Sequence, residues 1–136
     1  MRSRLVALLA MLSLGSCSPG ADTKAAEEGV TGFHQTMDAG QYAAIYDASA
    51  SDMKSSISRD DFISLLTGLH NKLGAFKGGK TTGWHDNATT GGHYVALVRE
   101  AQFEKGPGTE NFVFRMERGR PVLAGYHVSS NVLVTG

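Results

Sequence analysis

Gly74-Ala75-Phe76-Lys77-Gly78-Gly79-Lys80-Thr81 satisfies the phosphate-loop pattern G-x-x-x-x-G-K-[ST] letter for letter. That pattern binds nucleotide when a strand enters the loop and a helix leaves it, because backbone N–H groups and the helix N-terminus then face the phosphates. Here a leucine-rich helical pattern leads in and a Thr/Gly/Trp segment leads out. The segment reads as a helix cap followed by a Gly-rich, Lys-bearing loop, and no nucleotide is expected. Histidines stand at 34, 70, 85, 93 and 127, and no pair has the H-x-x-x-H spacing of a helical zinc site. His85, His93 and His127 could converge on one sheet, but no spacing demands it, so neither a metal nor another cofactor is expected. The polar-tipped aromatics Tyr42, Tyr46, Trp84, His85, Tyr126 and His127 are the set that could line a ligand pocket. Histidine as base and tyrosine as oxyanion donor would make such a pocket an acid–base site. Tyrosine and tryptophan more commonly bury the ring and satisfy one polar atom. No residue is assigned a catalytic role. Asn87-Ala88-Thr89 matches a glycosylation sequon and reads as a polar hairpin loop.

These residues must be positioned by helices in the first half and strands in the second. Ala26, Val30, Phe33 and Met37 recur at helical spacing between Asp22 and Asp38, and Gly40 is a natural stop. A second helix is expected from Gln41 to about Ala48, with Tyr42, Ile45 and Tyr46 on one side. Ser49 to Ser56 reads as a loop. Ser58 opens a third helix, with Asp61 standing in for the Glu of a capping box. Its stripe is Phe62, Leu65, Leu66, Leu69 and Leu73, and Gly74 closes it. From there the period becomes two. Strands are expected at Thr81–Asp86, at His93–Lys105 with Val95, Leu97, Ala101 and Phe103 on one face, and at Glu110–Glu117 with Phe112, Phe114 and Met116 on one face. Gly106-Pro107-Gly108 and Arg118-Gly119 read as turns. Pro121–Ser130 is the last strand, with Val122, Ala124, Tyr126 and Val128 facing one way. Helices first and a meander second predict an α+β domain: N-terminal helices packed on a curved antiparallel sheet of about four strands.

The first residues carry an address. Arg2 and Arg4 precede an apolar run, Leu5 to Leu14, which is too short to span a bilayer. Leu14-Gly15-Ser16-Cys17 follows and resembles the lipobox of bacterial lipoproteins. The resemblance implies a signal peptide at 1–16, removal by a dedicated peptidase, and a diacylglyceryl group on the Cys17 thiol. Residues 17–24 would then be a tether, reaching about 26 Å when extended at roughly 3.3 Å per residue, and 25–136 the domain. Stable anchoring takes two or more acyl chains, each buried methylene being worth about 0.8 kcal/mol. The expected location is the cell envelope, on the periplasmic side of a membrane. Cys17 is the only cysteine, so the chain forms no internal disulfide. The 13 basic residues balance the 13 acidic ones, and loss of Arg2 and Arg4 would leave a slightly acidic protein. That is no nucleic-acid footprint.

Gly40-Gln41-Tyr42, Ile45-Tyr46, Phe62, Leu73-Gly74, Gly92-His93-Tyr94-Val95, Phe103, Glu110 with Phe112 and Phe114, Gly119 and Gly125-Tyr126 carry a second likeness. Over roughly Ala25 to Ser130 the chain resembles the cystatin-like, nuclear transport factor two-like superfamily, nearest to its small exported bacterial proteins of unknown function. The resemblance implies a cone of sheet and helix with a mouth at one end, and it carries over no catalytic residue. The expected function is a membrane-tethered, non-enzymatic domain that binds an envelope protein or small ligand or assists assembly. The rival expectation is a small enzyme using the cone pocket for acid–base chemistry on a small ligand.

Overall fold

A computed structural model describes residues 19–135. The expected signal peptide and Cys17 lie outside the described residues. The elements are α1 (Pro19–Asp38), α2 (Tyr42–Asp47), α3 (Ser51–Ser56), α4 (Arg59–Leu73), β1 (Phe76–Thr89), β2 (Gly92–Phe103), β3 (Gly106–Glu117), β4 (Arg120–Ser129) and α5 (Asn131–Thr135). The four strands form one antiparallel sheet in the order β1-β2-β3-β4. The fold is α+β, helices followed by an open meander. Among the described residues no helix is long and apolar enough to cross a membrane.

Helix α1 begins six residues before Ala25. Pro19 suits a first helical position, and Ala21, Ala25 and Ala26 have high helix propensity. Residues 19–24 are therefore helical and not an extended tether. Their contribution to reach falls to about 9 Å at 1.5 Å per residue. Ala26, Val30, Phe33 and Met37 face the core, as their spacing predicts. Ser58 caps α4 by accepting from the Asp61 backbone N–H at 3.2 Å. Gly74 ends the helix at φ 76°, a left-handed conformation that suits glycine. Phe62, Leu66 and Leu73 are buried, whereas Leu65 is 48% exposed at the margin of the stripe. Part of the expected loop at Ser49–Ser56 is a short helix, α3. Its polar SDMKSS sequence hid it, but Met53 anchors it in the core.

The strands run longer than their alternation suggested. β1 starts at Phe76, because Gly78 to Thr81 pair with β2 despite low strand propensity. Gly106-Pro107-Gly108 belongs to β3, and the hairpin turns at Glu104-Lys105. Asn87-Ala88-Thr89 ends β1. Arg118 and Gly119 both have positive φ, the geometry of a two-residue hairpin. In β4 an irregularity opposite Val113/Phe114 inserts Ala124, and the side-chain parity changes there. Leu123 is thus buried where Val122 and Ala124 were expected, while Tyr126 and Val128 keep their predicted side.

The main core lies between the helices and one face of the sheet. Val30, Phe33, Ile45, Tyr46, Met53, Phe62 and Leu66 meet Val95, Leu97, Phe112, Phe114, Met116 and Leu123 there. Leu73, Ala101, Phe103 and Val128 form a smaller cluster at the other end, closed by Val132 and Leu133 of α5. Helix α1 comes close to β3 and β4: a Cβ at Gly29 would lie 2.9 Å from the Phe114 ring.

Candidate functional site: a carboxylate enclosed by histidine and tyrosine

The least expected residue in the core is Glu110, at 0% exposure on β3. It shares the inward parity of Phe112, Phe114 and Met116, and stands opposite Arg99 on β2 and Val128 on β4. His34, one residue along α1 from Phe33, stacks flat on Phe76 with ring centroids 3.6 Å apart. Its Nε2 lies 3.0 Å from Glu110 Oε1. With the carboxylate ionised, Nε2 carries the hydrogen and donates it. The Tyr126 hydroxyl donates to Oε2 at 2.6 Å. Both oxygens of the buried carboxylate therefore have a partner, which is the condition for tolerating a charge there. Burial, and then the neighbouring Glu110 charge, push the Tyr126 phenol far above its ordinary range.

A second cluster lies beside the first. The Tyr42 hydroxyl and His70 Nδ1 are 2.9 Å apart. His70 Nε2 is 3.2 Å from Asp38 Oδ1, near enough for an ion pair but misaligned for a hydrogen bond. The Asp38 carboxylate also accepts from the Phe76 backbone N–H at 3.3 Å. His34, Asp38, His70 and Tyr126 share the wall of a cleft of about 10 Å³. That is near the space one water needs. A carboxylate, an imidazole and a phenol are the parts of an acid–base site, but a general base must reach a bound substrate. This interior has no volume for one.

The six residues expected to line a pocket are not brought together. Tyr46 is buried and its hydroxyl donates to the Ile57 carbonyl at 2.8 Å, holding α2 to the start of α4. Tyr42 serves His70, and Tyr126 serves Glu110. His85 and His127 are exposed, the latter near Ser129 Oγ at 3.3 Å. Trp84 pairs across from Leu97 and shares its face, yet is 58% exposed on the edge strand. Two open grooves, of about 690 and 300 Å³, are lined by none of the six. The Gly74–Thr81 pattern forms the α4 cap and the start of β1. Thr81 Oγ1 accepts from Arg99 Nη1 at 2.7 Å, and no helix N-terminus follows to face a phosphate.

The sequence carried a usable signal for Glu110 and His34. Glu110 continues the alternation of Phe112, Phe114 and Met116, and His34 is four residues beyond Val30 on the apolar side of α1. Charged side chains are almost never fully buried unless paired, so a glutamate on an inward parity requires a partner. Only the fold identifies that partner, because 76 residues separate His34 from Glu110.

No curated protein matches this chain. A family model described as "Protein of unknown function (DUF4019)" matches residues 30–126, a span holding His34, Asp38, His70, Glu110 and Tyr126. The chain belongs to that family.

Proposed function

We propose that this protein is a bacterial envelope lipoprotein, tethered to a membrane through Cys17, whose folded domain is a non-enzymatic binding or assembly-accessory module. One observation carries the non-enzymatic part. His34 and Tyr126, on the wall of a cleft no larger than a water, take up both oxygens of the buried Glu110 carboxylate. Recognition then falls on the surface, where an exposed tryptophan such as Trp84 is a typical contact residue. The anchored part rests on the Leu14–Cys17 lipobox, and a helix starting at Pro19 would hold the domain near the lipid. The helix-backed four-stranded meander also supports kinship with the cystatin-like, nuclear transport factor two-like superfamily.

The competing reading, a small acid–base enzyme, is favoured by the pinned Glu110 carboxylate alone. Two experiments separate these readings. Cys17→Ala should move the protein from the membrane to the soluble fraction; retention in the membrane would contradict the anchor. A thermal-shift screen of the full chain in detergent against small carboxylic acids, sugars and nucleosides should give no hit that depends on Glu110. A tight ligand lost in Glu110→Gln would establish an interior site and overturn the non-enzymatic reading.

A further inference from the structure

A third histidine–carboxylate cluster stands at the beginning of α1. Asp22 lies in the first turn of that helix, Asp86 near the end of β1, and His93 at the start of β2. Asp86 pairs with Val95 and Ala88 with His93, so Asp86 and His93 are diagonal neighbours on the helix-covered face. One ligand atom from each of the three residues falls within 4.8 Å of the other two. His93 Nε2 contacts Asp86 Oδ1 and lies 3.7 Å from Asp22 Oδ2. The side chains are between 19 and 32% exposed, so the cluster opens on one side to solvent.

The charge arithmetic is unfavourable without a further cation. One imidazole nitrogen has at most one hydrogen and faces two carboxylates. Among the described residues, neither carboxylate pairs with a lysine or arginine. Two like charges at this separation disfavour one another. Three donors of mixed type, on three separate elements and with an open side, are what a divalent ion takes when water completes its coordination. The imidazole favours zinc-class transition ions over magnesium or calcium, which prefer oxygen ligands alone.

We propose that Asp22, Asp86 and His93 form a divalent transition-metal site of the zinc class. The ion takes the carboxylate oxygens and His93 Nε2 at about 2.0–2.2 Å, with small side-chain rotations. It pins the first turn of α1 to the β1–β2 hairpin. This site is separate from the Glu110 cluster and does not depend on how the domain is anchored. Histidine spacing gave no hint of it, because the third ligand arrives from a helix 64 residues before Asp86 in the chain.

Trp84 is the only tryptophan and sits two residues before Asp86 on the same face of β1, so its emission reports on the site. The test uses the full chain in detergent, stripped with a chelator and titrated with Zn²⁺ by calorimetry and Trp84 fluorescence. The expected result is saturable uptake of one ion per chain, weakened at least tenfold in both Asp22→Asn and Asp86→Asn. Both replacements keep side-chain size, and circular dichroism checks that the variants fold. His85→Ala, on the opposite face of the same strand, should bind as the parent does. Absence of saturable binding would overturn the proposal. So would parental affinity in the two asparagine variants, loss of binding in His85→Ala, or Mg²⁺ binding as tightly as Zn²⁺.

Discussion

Two of the domain's histidine–carboxylate clusters have opposite surroundings. At Glu110 the carboxylate is wholly buried, His34 and Tyr126 occupy its two oxygens, and the His34 ring is itself packed against Phe76 and Phe112. At Asp22–Asp86–His93 one histidine faces two carboxylates and part of each side chain meets solvent. The residue types are nearly the same, and the number of satisfied valences differs. A closed, fully satisfied set holds a core in one arrangement, because breaking it strands a charge in a low-dielectric interior. An open, under-satisfied set retains capacity for something else, and a cation is the simplest occupant. Residue identity therefore says less about a cluster's role than its count of donors, acceptors and open directions.

The largest expected effect tests the closed side of this contrast. Glu110→Ala leaves the buried His34 and Tyr126 donors without an acceptor, at about 1–3 kcal/mol each, and should lower the unfolding free energy by about 2–6 kcal/mol in urea denaturation. Its effect and that of Tyr126→Phe should be strongly non-additive, since both residues belong to one network. A loss below about 1 kcal/mol would mean that the cluster is not the sealed unit described.

Next comes the open side. Zn²⁺ at one hundred times its dissociation constant should stabilise the parent by about 2.7 kcal/mol and Asp22→Asn far less, read by thermal unfolding. Equal stabilisation of both would remove Asp22 from the site.

Alkaline pH gives a smaller, continuous effect. The folded Tyr126 phenol holds its proton well above the ordinary value of 10.0, whereas the unfolded phenol releases it there. Above pH 10 the unfolded state binds fewer protons than the folded one, so stability falls as pH rises. The slope from this residue is about 1.4 kcal/mol per pH unit. Stability from Tyr126 is complete below pH 10, and Tyr126→Phe should lack this component of the alkaline loss. A parallel decline in parent and variant would show that the phenol is not enclosed beside a charge.

The smallest effect sharpens the comparison most. Without metal, Asp22→Asn should change stability by no more than about 0.5 kcal/mol, as for a partly exposed side chain outside a satisfied network. A large loss would mean that the open cluster is itself structural.

Helical periodicity located α1 and α4, and alternation located β2 and β3, because those segments bury one face continuously. It failed where local sequence and tertiary context disagree. Phe76 to Lys80 is glycine-rich and reads as a loop, yet forms strand because β2 offers it a partner. Ala124 shifts β4 by one residue, so Leu123 takes the inward place that parity gave to Val122 and Ala124. Composition cannot announce a bulge set by the neighbouring strand. The six polar-tipped aromatics share a residue type but no site: the fold gives Tyr42, Tyr46 and Tyr126 private partners and leaves His85 and His127 in solvent. The Glu110 and Asp22–Asp86–His93 clusters escaped because each joins α1 to distant strands. No local spacing encodes a contact across 76 residues.

Imidazole NMR signals, followed while stoichiometric Zn²⁺ is added to the metal-free full chain, test the contrast most directly. The His93 signals should shift or broaden and saturate at one equivalent, while those of His34 stay where they are. Movement of His34, or an unmoved His93, would contradict it.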